Sequence, residues 1–246
     1  MLAADRSGAW IVGLDDRGRS VLTLVPPGGG RRRYFLGGPS FLGDGPLAVA
    51  AGLHAVWVLD RGRRGDRLLR LDLATGRLRV EHRFPLSSGV DTLTVGFRDL
   101  WLVGSSTATL YRVDPHSGKV AHVDLGRTAG RPVAMAGAVW VIVSNHKVPT
   151  VLVDPRTLRV KQTYNDGSIG PLDTVGADSA GAFRSVWTYD VGHGEVQRWY
   201  PPDLGRVIQV THAPHYDGNC MTSMAAGGGA VWVTLARSEG NGCNLF

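Results

Sequence analysis

The sequence predicts an all-β fold, a β-propeller of about six four-stranded antiparallel blades with the last blade incomplete. Three observations carry this. Six of the seven tryptophans stand at 10, 57, 101, 140, 187 and 232, at spacings of 47, 44, 39, 47 and 45 residues. Each stands in a short apolar phrase: Gly137-Ala138-Val139-Trp140-Val141 is repeated as Gly229-Ala230-Val231-Trp232-Val233 and as His54-Ala55-Val56-Trp57-Val58. Looser copies lie at Gly8 to Val12, Asp99 to Val103 and Ser185 to Thr188. The 34 glycines fit a fold made mostly of tight turns. A period in the forties with β-branched and aromatic residues in every unit marks a propeller.

The period divides the chain into units of about 1–38, 39–87, 88–126, 127–166, 167–211 and 212–246, in a single domain. Unit one has Ser20 to Val25 as third strand and Arg33 to Leu36 as fourth. Unit two follows its tryptophan strand with Leu68-Leu69-Arg70-Leu71-Asp72 and the turn Ala74-Thr75-Gly76. Unit three is the clearest: Asp91 to Gly96, Leu100 to Val103, Leu110 to Asp114 and Lys119 to Leu125. Apolar and polar positions alternate there, as a blade packed on its neighbours requires. Unit four repeats the plan with Val151-Leu152-Val153-Asp154 before Pro155-Arg156-Thr157, and unit five with Glu195 to Tyr200 and Arg206 to Val210. Asp72, Asp114 and Asp154 recur at one repeat position, which points to turn-closing carboxylates rather than catalytic acids.

Unit six has Met221 to Ala226 and Ala230 to Leu235, and then the sequence stops at Asn244-Leu245-Phe246 where a third strand would start. An open blade leaves unpaired backbone and apolar surface. The expectation is that these residues belong to a longer chain, or that a partner covers the open end. A six-bladed ring and part of a seven-bladed one both satisfy the repeat.

The units resemble those of the YVTN-type and streptogramin-lyase-like propellers of bacteria. The matching residues are Pro46 to Ala50, Pro132 to Ala134, the Gly-Ala-Val-Trp-Val copies and Leu71-Asp72-Leu73-Ala74-Thr75-Gly76. The resemblance spans essentially the whole chain. It implies a binding or scaffolding role, or a lyase that uses histidine, glutamate and a divalent metal such as Mg²⁺ on the channel face.

In such a blade the loops from strand two to three, and from strand four to the next blade, share one face around the channel, and function resides on such loops. His146, His193 with Glu195, and the run His212-Ala213-Pro214-His215-Tyr216-Asp217 fall there. Imidazoles and carboxylates converging from adjacent blades suit metal binding or acid–base work. Carried over from the lyases, His215 is the candidate base and His193 and Glu195 the candidate metal or substrate contacts. Solvated loop histidines account for the same pattern. A second group is Arg61, Arg63, Arg64 and Arg67, a basic loop able to fork onto phosphate, sulfate or a carboxylated glycan. It lacks the interleaved aromatics that nucleic-acid stacking uses, so no specific nucleic-acid partner is expected. His146, His212, Tyr216 and Asp217 complete the candidate ligand contacts. Arg31-Arg32-Arg33, before a fourth strand, reads as a solvated basic run.

The net charge of +6 and the pI near 9.7 favour anionic partners, and a compositional bias of the source genome toward arginine accounts for the same balance. No apolar run is long enough to span a membrane. Cys220 and Cys243 form one disulfide or remain two thiols; pairing would favour an extracellular or cell-surface setting over the cytoplasm. The functional expectation is a non-enzymatic recognition or sensor domain that binds a protein, an anionic small molecule or a glycan. A metal-dependent lyase, and a subunit docking through its open blade edge, are the alternatives.

Overall fold

A computed structural model describes residues 1–39, 45–62, 65–104, 106–126, 129–135, 137–143 and 150–164, and beyond these the strands named below; side-chain contacts are described within the first four blades. Among the described residues, twenty-two strands form six sheets. The first four blades are β1–β4 (Leu2–Asp5, Gly8–Leu14, Arg19–Val25, Arg32–Pro39), β5–β8 (Gly45–Gly52, Ala55–Gly62, Gly65–Asp72, Leu78–Phe84), β9–β12 (Val90–Gly96, Asp99–Gly104, Thr109–Val113, Val120–Asp124) and β13–β16 (Ala129–Met135, Ala138–Val143, Thr150–Val153, Val160–Tyr164). Blade five is β17–β20 (Val175–Ala177, Val186–Asp190, Glu195–Trp199, Val207–His212), and the described part of blade six is β21 and β22 (Met221–Gly227, Ala230–Leu235). Each sheet is an antiparallel meander in chain order. The first strands touch in succession, β1 on β5, β5 on β9, β9 on β13, β13 on β17 and β17 on β21, and β21 returns to β1. The ring therefore closes at six.

The repeated tryptophan packs between blades at each of the first three positions. Trp10, Trp57 and Trp101 are fully buried, and each reaches the next blade. Trp10 packs with Val49, Val56 and Leu69 of blade two, and Trp101 with Ala134, Val139 and Val151 of blade four. Buried indoles seek an acceptor for their N–H. Trp57 Nε1 donates to the Gly52 carbonyl at 3.1 Å and Trp101 Nε1 to that of Gly96 at 3.0 Å. Across the strand from these tryptophans stand arginines. Arg70 faces Trp57 with its guanidinium 5.4 Å from the ring, and Arg112 faces Trp101. Arg112 Nη1 donates to the carbonyls of Pro155 (2.8 Å) and Arg156 (3.1 Å), tying blade three to the turn of blade four.

Glycine at the acceptor position is demanded by packing. A Cβ on Gly96 would lie 2.1 Å from the Ala134 Cβ of the next blade, and one on Gly52 would meet Val95 at 2.8 Å. The two-residue turns that follow carry no glycine, yet Leu53, His54, Phe97 and Arg98 all have φ between 53° and 69°. Two successive residues at positive φ give the primed turn that matches hairpin twist, at a cost of about 1–2 kcal/mol per residue with a Cβ. Replacing Phe97→Asn and Arg98→Gly is therefore expected to stabilise the protein by about 1–2 kcal/mol. A higher urea midpoint with an unchanged slope checks this.

The turn aspartates behave as the repeat predicts. Asp72 accepts from the N–H groups of Ala74 (3.0 Å) and Thr75 (2.9 Å), Asp114 from His116 (2.8 Å), and Asp154 from Arg156 and Thr157 (both 2.9 Å). These bonds favour the ionised form. The Thr75 N–H holds Asp72 below its ordinary value of 3.8, the Ser117 hydroxyl does so for Asp114, and the Thr157 N–H for Asp154. A carboxylate whose folded pKa lies below its unfolded one contributes stability that is present above pH 3.8 and lost as pH falls below it. The melting temperature should drop as pH falls from 5 to 2. The triple variant Asp72→Asn, Asp114→Asn, Asp154→Asn should show a flatter dependence in the same window.

Candidate functional site

The loop face is best defined at blade two, where the chain was expected to form a basic loop from Asp60 to Arg67. It forms a hairpin instead. β6 continues through Gly62 and β7 starts at Gly65, with Asp60 opposite Arg67, Arg61 opposite Asp66 and Gly62 opposite Gly65. The reason is charge complementarity across the register. Arg67 is paired with Asp60, and Arg61 Nε lies 3.3 Å from Asp66 Oδ1. The carboxylate side chains are each 1% exposed, whereas the arginine partners are 27% and 36% exposed. Arg61 and Arg67 thus sit on strands, with much of their charge answered within the hairpin.

Neighbouring blades complete the network. Ser20 Oγ of blade one donates to Asp60 Oδ1 at 3.3 Å. Burial pushes the Asp66 carboxyl above the ordinary carboxylate value; Arg61 opposes this, while Asp91 of blade three and Asp60 add to it. One Asp66 oxygen (Oδ2), Arg67 Nε and Thr92 Oγ1 are buried with no hydrogen-bond partner among the described residues. Asp15 lies on the corresponding loop of blade one. Its hydrogen bond from Arg19 Nε (2.8 Å) and the backbone N–H groups of Arg19 and Arg17 lower its pKa to about 2.

The rim beside this hairpin is fixed by close backbone approach. Gly65 has φ +135°, and a Cβ there would lie 2.3 Å from the Phe84 carbonyl oxygen. The connection between blades two and three is a single 3₁₀ turn, Leu86–Ser88. Thr107 Oγ1 of the blade-three loop donates to the Ser88 carbonyl at 2.9 Å, and Ser88 Oγ donates to that of Pro85 at 2.7 Å. Inner strands also slip register near their loop-face ends: between Pro46 and Ala48 in β5, opposite Val103 and Gly104 in β9, between Ala129 and Pro132 in β13, and between Met221 and Ser223 in β21. Such bulges turn the extra residue away from the regular alternation. Asp91 is the extra residue of β9.

Of the histidine group, Glu195 and His212 are brought together as register partners of β19 and β20, so His212 ends a strand rather than lying in the following loop. His146, His193, His215, Tyr216 and Asp217, like Arg63, Arg64, Cys220 and Cys243, lie outside the described residues. Among the described residues no group of three or more His, Cys, Asp or Glu side chains is placed to hold a metal ion, and no helix is long and apolar enough to cross a membrane. Sequence reasoning missed Asp60, Asp66, Ser20 and Asp91. The mirrored charge order Asp60-Arg61-Gly62-Arg63-Arg64-Gly65-Asp66-Arg67 was the available signal, since folding it at its centre pairs opposite charges.

No protein-family profile matches the chain, and no curated protein matches it by sequence. Solved structures do match its fold. One is described as the crystal structure of a nidogen/laminin complex (TM-score 0.60, 12% identity, covering 92% of this chain and 84% of that one). A second is YCF48 bound to D1 peptide (TM-score 0.56, 11% identity, 86% and 67%). A third is a protein of unknown function from Bacteroides caccae (TM-score 0.51, 12% identity, 86% and 77%). At these identities the likeness concerns architecture alone, and that architecture is the β-propeller.

Proposed function

We propose that this propeller is a recognition module that binds a protein partner through its loop face. The observation that carries the reading is the β6–β7 hairpin, whose buried aspartates hold two arginines in place beside a pinned connector. Charges held before binding lose little freedom on complex formation, and opposed signs set close together specify register more than affinity. Two of the similar structures are described as complexes with a protein or a peptide, which agrees with this use of the fold. The YVTN-type repeat resemblance supports the same reading, in which the chain would serve as a sensor or interaction domain. Photo-crosslinking residues set singly at Arg61, Arg67 and Asp15 should capture the same partner, whereas one at Phe97, on the opposite face, should not. Capture from Phe97 alone would overturn the reading.

The streptogramin-lyase alternative draws on the Glu195–His212 register pair. It requires His215, His193 and Glu195 to share a divalent ion. Titration of metal-stripped protein with Mg²⁺, Mn²⁺ and Zn²⁺ distinguishes the two. The recognition reading expects no saturable binding that depends on His215, and saturable binding lost in His215→Ala would favour the lyase.

A further inference from the structure

The outermost strand of blade one, β4, differs from the other described outer strands in its charge. Arg31, Arg32 and Arg33 are exposed, and none has a carboxylate in ion-pair range among the described residues. Elsewhere the outer cations are fewer and most stand beside a carboxylate, although Arg83 of β8 has none in ion-pair range among the described residues. In β8, Glu81 pairs with Arg79 and lies 3.6 Å from Arg70; in β16, Lys161 is 2.9 Å from Asp154; β12 ends on Asp124. β4 is terminal in its sheet, so alternate residues direct N–H and C=O away from β3. Tyr34 is on the face packed against Trp10, with ring centroids 5.9 Å apart. Arg33 and Phe35 share the other face, opposite Thr23 and Val21. Phe35 is 54% exposed and carries the Arg19 guanidinium 4.4 Å from its ring centroid. The register then jumps, Phe35 opposing Val21 but Pro39 opposing Arg19, which ends the regular edge after Phe35.

A row of cations along an edge repels a second copy of itself, and so prevents self-pairing. The same row attracts a strand of opposite charge. We propose that the β4 edge from Arg32 to Phe35 takes up an extended acidic peptide segment of a partner protein as a fifth strand of blade one. Main-chain bonds would hold the segment over about 13 Å, at about 3.3 Å per residue, and carboxylates would meet the arginines. An apolar residue of the peptide would rest on Phe35. This surface is distinct from the loop face, so failure of either proposal leaves the other standing.

The test uses the full chain and a labelled eight-residue peptide in which three Glu precede each Val, so that each face of the strand carries Glu and one face also carries Val, followed by fluorescence anisotropy and amide hydrogen exchange. Saturable binding is expected, with slowed exchange at the outward amides between Arg32 and Phe35. The variant Arg32→Glu with Arg33→Glu should bind at least tenfold more weakly, and Phe35→Ala several-fold more weakly, at unchanged melting temperature. Several results would overturn the proposal: no saturable binding, binding indifferent to the arginine reversal, or equal binding of a peptide with proline at every second position. Displacement by heparin without any β4 amide protection would also overturn it, because that outcome marks diffuse attraction of a polyanion.

Discussion

Trp101→Ala should lower the stability of the protein by about 3–5 kcal/mol, the range for truncating a large aromatic residue in a packed core. Trp101 has no exposed surface and belongs to one buried cluster with Val103 and Leu110 of its own blade and Ala134, Val139 and Val151 of the next. Its removal leaves a cavity at the seam between blades three and four and strips the Gly96 carbonyl of its indole donor. Both losses act on one interface, and the wall opposite is another sheet, which limits collapse into the space. Urea unfolding followed by circular dichroism measures the effect. A loss under 1 kcal/mol would mean that the seam is not where the blade gains its stability.

The second large effect is expected at Asp60. Asp60→Ala removes a buried carboxylate that pairs with Arg67 and accepts a bond from Ser20 of blade one. Breaking a buried pair from one side costs about 3–5 kcal/mol. Arg67 keeps 27% of its side-chain surface in water, so about 2–4 kcal/mol is expected here. A double-mutant cycle with Arg67→Ala isolates the pair, and a coupling below about 0.5 kcal/mol would show the two residues to be independent. On the recognition reading, Asp60→Ala should also weaken partner binding, because Arg67 loses the group that fixes it.

The blades were legible because their cause is local and repeated. The tryptophan phrase supplies the inter-sheet filler, and the Asp-x-x-Ser/Thr turn supplies a carboxylate that accepts from backbone N–H groups at fixed offsets. Leu53-His54 and Phe97-Arg98 were not legible as primed turns, because neither pair contains the glycine or asparagine that normally signals positive φ. Each pair follows a glycine, Gly52 or Gly96, at which the neighbouring blade leaves no room for a Cβ. Ring closure was also beyond the repeat, since a period counts units without saying which two meet. At the loop face, the arginines between 61 and 67 drew the eye to a basic loop, whereas the structure turns on the aspartates that flank them. A linear list of charges hides cross-strand partners; register reveals them.

All of these readings rest on six units closing through β1 and β21. Methyl-selective NOE spectroscopy tests that contact directly. The closed ring predicts cross-peaks from the methyls of Leu2, Ala3 and Ala4 to protons of β21. Absence of every such cross-peak, while those between β1 and Ala48 and Ala50 of β5 persist, would contradict closure and with it the loop face as a continuous surface.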